Sequence, residues 1–174
     1  MGWNHAEYES LNEDFQTRGR RVEEQIDLLR RLWAEPLVTF KGRWHNLDRV
    51  GIAPRPPSQI PIWLGGGSSD SLLRRVARLA DGWMPMLRLA DAPEILARLH
   101  GFMAEAGRDP ASLDLQATLS ATEGEAEKWM NDAMRWQTLG ATYLGIRAGS
   151  RGLPPMQMLA QTIEVKKVLD QVLN

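Results

Sequence analysis

The run Ile60-Pro61-Ile62-Trp63-Leu64, closed by Gly65-Gly66-Gly67-Ser68-Ser69, constrains the fold of this chain more than any other segment. An apolar run without alternation belongs to a parallel strand buried on both faces. The glycines form a turn, and a helix follows over about 69–80. Its spacing turns Leu72, Leu73, Val76, Leu79 and Ala80 inward and Arg74, Arg75 and Arg78 outward. Gly82 is a natural residue to end that helix, and Trp83-Met84-Pro85-Met86 reads as the next short strand. Strand, turn, helix and strand make one βαβ unit.

The pattern repeats. Asp91 is an N-cap candidate and Pro93 stands in the first turn of a helix through Ile95, Leu96, Leu99, Phe102 and Met103 to Gly107. A strand follows at Leu113–Leu119. Thr122-Glu123-Gly124-Glu125 fits a capping box ahead of a helix through Trp129, Met130, Ala133 and Met134. Ala141–Ile146 is the fourth strand, and a last helix covers about 156–173. Strict alternation predicts a parallel sheet flanked by helices. Four βα units are half of a (β/α)8 TIM-type barrel, which takes about 250 residues. A four-stranded open α/β sheet has the same alternation.

The segment 1–59 differs in kind from the half-barrel pattern of 60–174, and the two are read as parts of one domain. Residues 2–16 are polar and irregular. A helix at about 17–34 has Val22, Ile26, Leu29 and Trp33 on its apolar face, and Pro36 stops it. Val38-Thr39-Phe40 and Arg43-Trp44-His45 flank Lys41-Gly42 as a small hairpin. Pro54-Arg55-Pro56-Pro57 is a stiff approach to the first parallel strand.

Composition excludes several functions. Net charge is −1 with no basic block, so nucleic acid and anionic membrane are not expected partners. There is no cysteine, which excludes disulfides, thiolate metal sites and cysteine nucleophiles. His5, His45 and His100 lack metal-ligand spacing. His45 reads as an exposed loop residue and His100 as a structural one. No apolar stretch approaches the ~18 residues of a membrane span, and Met1–Glu7 is no signal peptide, so a cytoplasmic location is expected. Trp33, Trp63, Trp83, Trp129 and Trp136 read as core side chains.

The turn Gly65-Gly66-Gly67-Ser68-Ser69 is the leading candidate site. Glycines admit a ligand close to the backbone, serines add hydroxyl donors, and the helix start adds a positive dipole end. That chemistry suits a phosphate; a tight βα connection is the alternative. No Gly-Lys-Ser/Thr follows, and the third glycine of a dinucleotide fingerprint is missing. Arg147 and Arg151, in a glycine-rich loop after the last strand, suit a late-loop phosphate site or a solvated surface. Glu7, Asp14, Arg18, Arg21 and Glu24 form either an ion-pair group or a solvated face. No Ser/His/Asp set, glycosidase carboxylate pair or HExxH motif occurs, so no catalytic residue is assigned.

Several segments together resemble the luciferase-like monooxygenases. These are Gly2-Trp3-Asn4-x-x-Glu7-Tyr8, Phe15-x-x-Arg18-x-x-Arg21-x-x-Glu24, Leu32-Trp33, Phe40-x-Gly42 and Pro54-x-Pro56. The most specific is Pro61-Ile62-Trp63-Leu64-Gly65-Gly66 with Leu73-Arg74-Arg75-x-Ala77-x-Leu79-Ala80-Asp81-Gly82-Trp83. Leu139-Gly140-Ala141-Thr142 marks the final strand. Within that superfamily the chain is more similar to the coenzyme F420-dependent oxidoreductases than to the FMN-dependent enzymes.

The resemblance implies a TIM-type barrel with a helix and hairpin excursion. Strands 5 to 8 would be 60–65, 82–86, 113–119 and 141–147, with strands 1 to 4 absent from the chain. It implies a cofactor phosphate on Gly65, Gly66, Gly67 and Ser68, a coenzyme F420 or FMN cofactor, a small-molecule substrate and oxidoreductase chemistry. A half-barrel would also expose strand edges and an apolar inner face. A homodimer, or a complementing N-terminal half, is therefore expected. The alternative is a catalytically inactive half-barrel serving assembly or binding.

Overall fold

The computed structural model describes residues 2–120, 126–147 and 154–171. A short helix α1 (His5–Ser10) and a 3-10 turn (Phe15–Thr17) precede the long helix α2 (Arg18–Ala34). The strands β1 (Val38–Lys41) and β2 (Asn46–Val50) form an antiparallel hairpin. Then come β3 (Trp63–Gly66), α3 (Asp70–Leu79), β4 (Gly82–Pro85), α4 (Ala92–Glu105), β5 (Asp114–Ser120), α5 (Ala126–Thr138), β6 (Tyr143–Arg147) and α6 (Pro155–Leu169).

The four later strands are parallel, in the order β3-β4-β5-β6. Each strand adds beside its predecessor in the same direction. Right-handed crossovers that always step one way place every helix on one face. A doubly wound open sheet needs a reversal of strand order, and the described sheet has none. The chain is therefore a mixed α/β fold wound as part of a TIM-type barrel.

The core lies between this sheet and its helices. Leu64, Trp83, Leu115 and Ala117 meet Leu72, Leu73 and Val76 of α3, Leu96 and Leu99 of α4, Trp136 of α5 and Ile26 of α2. Leu119 continues into a cluster with Trp129, Ala133, Val165 and Leu169. The strands are buried mainly on this face. The opposite, concave face carries Trp63, Met84, Gln116, Thr118 and Tyr143, of which Met84, Thr118 and Tyr143 are exposed. The expectation of burial on both faces fails because, among the described residues, no second layer covers the concave side. Trp63 consequently stands on the concave face, half-buried, while Trp83, Trp129 and Trp136 are in the core.

Several local expectations change with the tertiary contacts. Leu29 is exposed and Leu28 buried, because Leu28 and Leu32 turn to the hairpin residues Val38 and Phe40. The hairpin's second strand starts at Asn46; residues 42–45 form its turn. Gly82 opens β4 rather than closing α3, whose end is capped at Ala80. A Cβ on Gly82 would stand 2.3 Å from the Trp63 ring, so glycine there makes room for that indole. Asp91 gives α4 no side-chain cap and pairs with Arg88 instead. His100 is exposed. The capping box Thr122–Glu125 lies outside the described residues.

At the N-terminal end of the strands a polar network ties elements together. The Asp81 carboxylate accepts from the Ile62 amide at 2.8 Å and from Arg30 at 3.0 Å. Arg108 donates to the carbonyls of Val76, Ala77 and Ala80, covering the acceptors at the end of α3. In barrels this end serves stability, while chemistry gathers at the opposite end.

Candidate functional site

The glycine turn leaves β3 at that opposite, C-terminal end. Gly66 adopts φ +150° and accepts from the Met86 amide at 2.8 Å, which pins the turn against the end of β4. Ser69 precedes α3 but its side chain does not cap it; its hydroxyl lies 3.3 Å from that of Ser71. The amides of Leu72 and Leu73 bond back to the Ser69 carbonyl. The N–H groups at the start of α3 thus lack a side-chain acceptor, and such groups favour an anion.

A cleft of about 460 Å³ lies against this turn. Gly65, Gly66, Gly67, Ser69 and Ser71 line one side, and Trp3, Gln16, Arg18, Gly19 and Arg20 another, together with Gly2, Leu72 and Arg75. The N-terminal segment and the first turn of α2 therefore form a cationic wall facing a glycine wall.

The charges in and around the cleft are unevenly matched. Arg75 is 8% exposed, although the periodicity turned it outward; its Nε donates to Glu23 at 2.8 Å, and Arg78 holds the other Glu23 oxygen at 2.9 Å. Gly19 makes this possible, since a Cβ there would lie 2.5 Å from the Arg75 guanidinium. Asp70, at the first position of α3, is paired with Arg98, which also donates to the Ser68 carbonyl at 3.3 Å. Arg18 stacks over the Phe15 ring at 3.5 Å and donates to the Phe15 carbonyl at 2.7 Å. Its Nε is buried with no partner. Arg20 is exposed, and among the described residues neither Arg18 nor Arg20 has a carboxylate partner. The donor set fits an anionic group.

Of the residues selected from sequence, Gly65, Gly66, Gly67 and Ser69 line the cleft, and Ser68 lies between them. Arg147 ends β6, which β4 and β5 separate from β3, and does not line it. Arg151 lies outside the described residues. Sequence reasoning gave Arg18 only a place among surface ion pairs and missed Arg20 and Arg75 at the cleft. The motif Phe15-x-x-Arg18 held a usable signal, because three-residue spacing stacks the guanidinium on the ring.

The rest of the proposed ion-pair group divides. Glu7 accepts from Asn4 at 3.2 Å, Asp14 caps the 3-10 turn, and Arg21 pairs with Glu13. Glu24 does something else. Its carboxylate accepts from the amides of Arg43, Trp44 and His45 at 2.8, 2.9 and 2.8 Å, and meets His45 Nδ1 at 2.8 Å. Desolvation raises its pKa, but the His45 ring and the three amides outweigh that and hold it at about 2, against an ordinary 4.5. His45 is thus half-buried and bound, not an exposed loop residue.

A singly wound parallel βα array, with a cleft at the C-terminal end of its first strand, defines a barrel-type α/β protein. The chain matches the family model for luciferase-like monooxygenases over residues 1–167. It belongs to that family. An uncharacterized protein of Mycobacterium tuberculosis is 36% identical over 103 residues, covering 59% of this chain and 35% of that protein. The F420-dependent glucose-6-phosphate dehydrogenase of Nakamurella multipartita is 28% identical over 171 residues, covering 91% of this chain and 50% of that protein. The chain thus spans half or less of the length of these curated relatives. The crystal structure of monooxygenase RslO1 from Streptomyces bottropensis superposes with a TM-score of 0.75 at 14% identity. It covers 98% of this chain and 66% of that one, a likeness of fold.

Proposed function

We propose that this chain is the cofactor-phosphate-binding part of an F420- or flavin-dependent oxidoreductase, with F420 favoured over FMN. The observation that carries the reading is the start of α3, which no side chain caps, in one cleft with Arg18 and Arg20. Family membership supports it, as does the F420 dependence named for the Nakamurella relative. When bound, such a cofactor supplies hydride or oxygen chemistry. The chain's own groups hold its anionic end: backbone N–H groups at Gly67–Ser71 and the guanidinium groups opposite.

Titration of the purified chain with F420 and with FMN, followed by tryptophan fluorescence, tests this. Trp3 lines the cleft and is 85% exposed, and Trp63 stands on the concave face. Trp83 is fully buried on the helix side and will not report. Saturable quenching by either cofactor supports the reading. No saturable response to either removes it.

A second reading, an assembly or binding half-barrel without catalysis of its own, is favoured by the concave face. Met84, Thr118 and Tyr143 are exposed there, and β3 and β6 each have one strand neighbour among the described residues. A second copy, or a separately encoded N-terminal half of the barrel, would cover that face. Light scattering that returns a dimer mass supports pairing of two copies. A stable monomer overturns it.

A further inference from the structure

We propose that Arg98, an exposed residue of α4, is a positioning residue for the glycine turn: it directs the Ser69 amide into the cleft and draws the Asp70 charge away from it. This deepens the cofactor reading and, as applied to F420, rests on it.

The turn alternates. Gly67, Ser69 and Ser71 line the cleft; Ser68 and Asp70, between them, do not. Both are held by one side chain from the next helix. The Arg98 guanidinium donates to the Ser68 carbonyl at 3.3 Å and pairs with the Asp70 carboxylate. The peptide between Ser68 and Ser69 is trans, and the carbonyl and N–H of a planar trans unit point opposite ways. Fixing the Ser68 carbonyl on the α4 side therefore turns the Ser69 N–H to the other side, where Ser69 lines the cleft.

The second contact concerns charge. Asp70 is the first residue of α3, at the positive end of the helix dipole. A carboxylate released there competes with a phosphate for the same N–H groups and repels it. Arg98 neutralises that carboxylate without itself lining the cleft. As a stabilising ion pair between exposed side chains the contact is worth little. Its effect on an anion is larger, because one unit charge at contact distance in water changes an affinity about fivefold.

Thermal-shift titrations with inorganic phosphate and with F420 at low ionic strength test this. They compare the wild type with Arg98→Gln, Arg98→Lys, the double variant Arg98→Gln, Asp70→Asn, and Arg74→Gln. Arg74 pairs with Glu105 across the same two helices and does not line the cleft, so it controls for the loss of one positive charge and one exposed ion pair. Arg98→Gln should weaken both ligands about fivefold and leave the ligand-free melting temperature nearly unchanged. Arg98→Lys, which keeps the charge and a donor, should stay within about twofold of the wild type. Asp70→Asn added to Arg98→Gln should recover most of the loss, and Arg74→Gln should show none.

Wild-type affinity in Arg98→Gln overturns the proposal. So does an equal loss in Arg98→Lys or Arg74→Gln, or a loss that Asp70→Asn does not reduce. F420 binding insensitive to Arg98 rejects the positioning role but keeps the cofactor reading. Arg98-dependent phosphate binding without binding of F420 or FMN rejects the cofactor reading but keeps the role of Arg98. A wild type that binds none of these ligands rejects both.

Discussion

Trp63 meets Tyr143 edge to face, with ring centroids 5.1 Å apart and ring planes at 79°. Trp63 opens the first strand of the parallel sheet and Tyr143 the last. On a flat sheet three strand spacings would separate them by roughly 14 Å. The contact is therefore a measure of curvature: the sheet is rolled toward its concave face, as barrel winding requires. Trp63 can lean across because Gly82, its neighbour in register, has no side chain.

Substituting Gly82→Ala tests that curvature. The new methyl would stand 2.3 Å from the indole and push Trp63 away from Tyr143. Overpacking of this kind costs about 1–3 kcal/mol. A urea unfolding midpoint equal to that of the wild type would show that the indole does not need this space.

Glu24 governs an acid transition. Its folded pKa, about 2, lies below the ordinary 4.5, so its contribution is fully present above about pH 4.5. That contribution is lost as pH falls toward 2, where protonation takes away the carboxylate that three amides and His45 share. The melting temperature of the wild type should fall over this window more steeply than that of Glu24→Gln. Parallel curves for the two proteins would dismiss Glu24 as the group responsible.

Arg75 depends on Glu23. The two are 52 positions apart in the chain, and the guanidinium is nearly buried between α2 and α3. Glu23→Gln leaves that charge without its counterion, at a cost of about 1–3 kcal/mol given that Glu23 is partly exposed. Glu105→Gln, which breaks the exposed pair with Arg74, should cost less than about 0.5 kcal/mol. Chemical denaturation of both variants decides; similar losses would deny Arg75 its special position.

Gly66→Ala places a side chain at φ +150° and 2.6 Å from Leu72 Cδ2. Backbone strain of this kind costs about 1–3 kcal/mol. Because the turn presents the start of α3, phosphate binding should weaken together with stability. A variant with wild-type phosphate affinity separates the turn from the anion site.

The sequence displayed Gly65–Ser69 as a candidate site because the signal is contiguous: a strand, small residues and a helix start within a dozen positions. The cationic wall was not legible in the same way. Arg20 and Arg75 look like ordinary polar positions of amphipathic helices. Only Gly19, by allowing α2 to approach α3, buries Arg75 and brings the first turn of α2 to the cleft. Glu24 and His45 likewise read as two unrelated surface residues until the hairpin turn closes over α2.

What the sequence determined by itself was the alternation of strand and helix, and with it the parallel α/β class. Hydrophobic periodicity is set by each element's own geometry and needs no partner to be read. The tertiary structure decided the rest: barrel-like winding over an open sheet, which side of each strand is covered, and which charges face the glycine turn. These depend on strand order and on helix approach, and contacts between residues far apart in the chain leave no period in it.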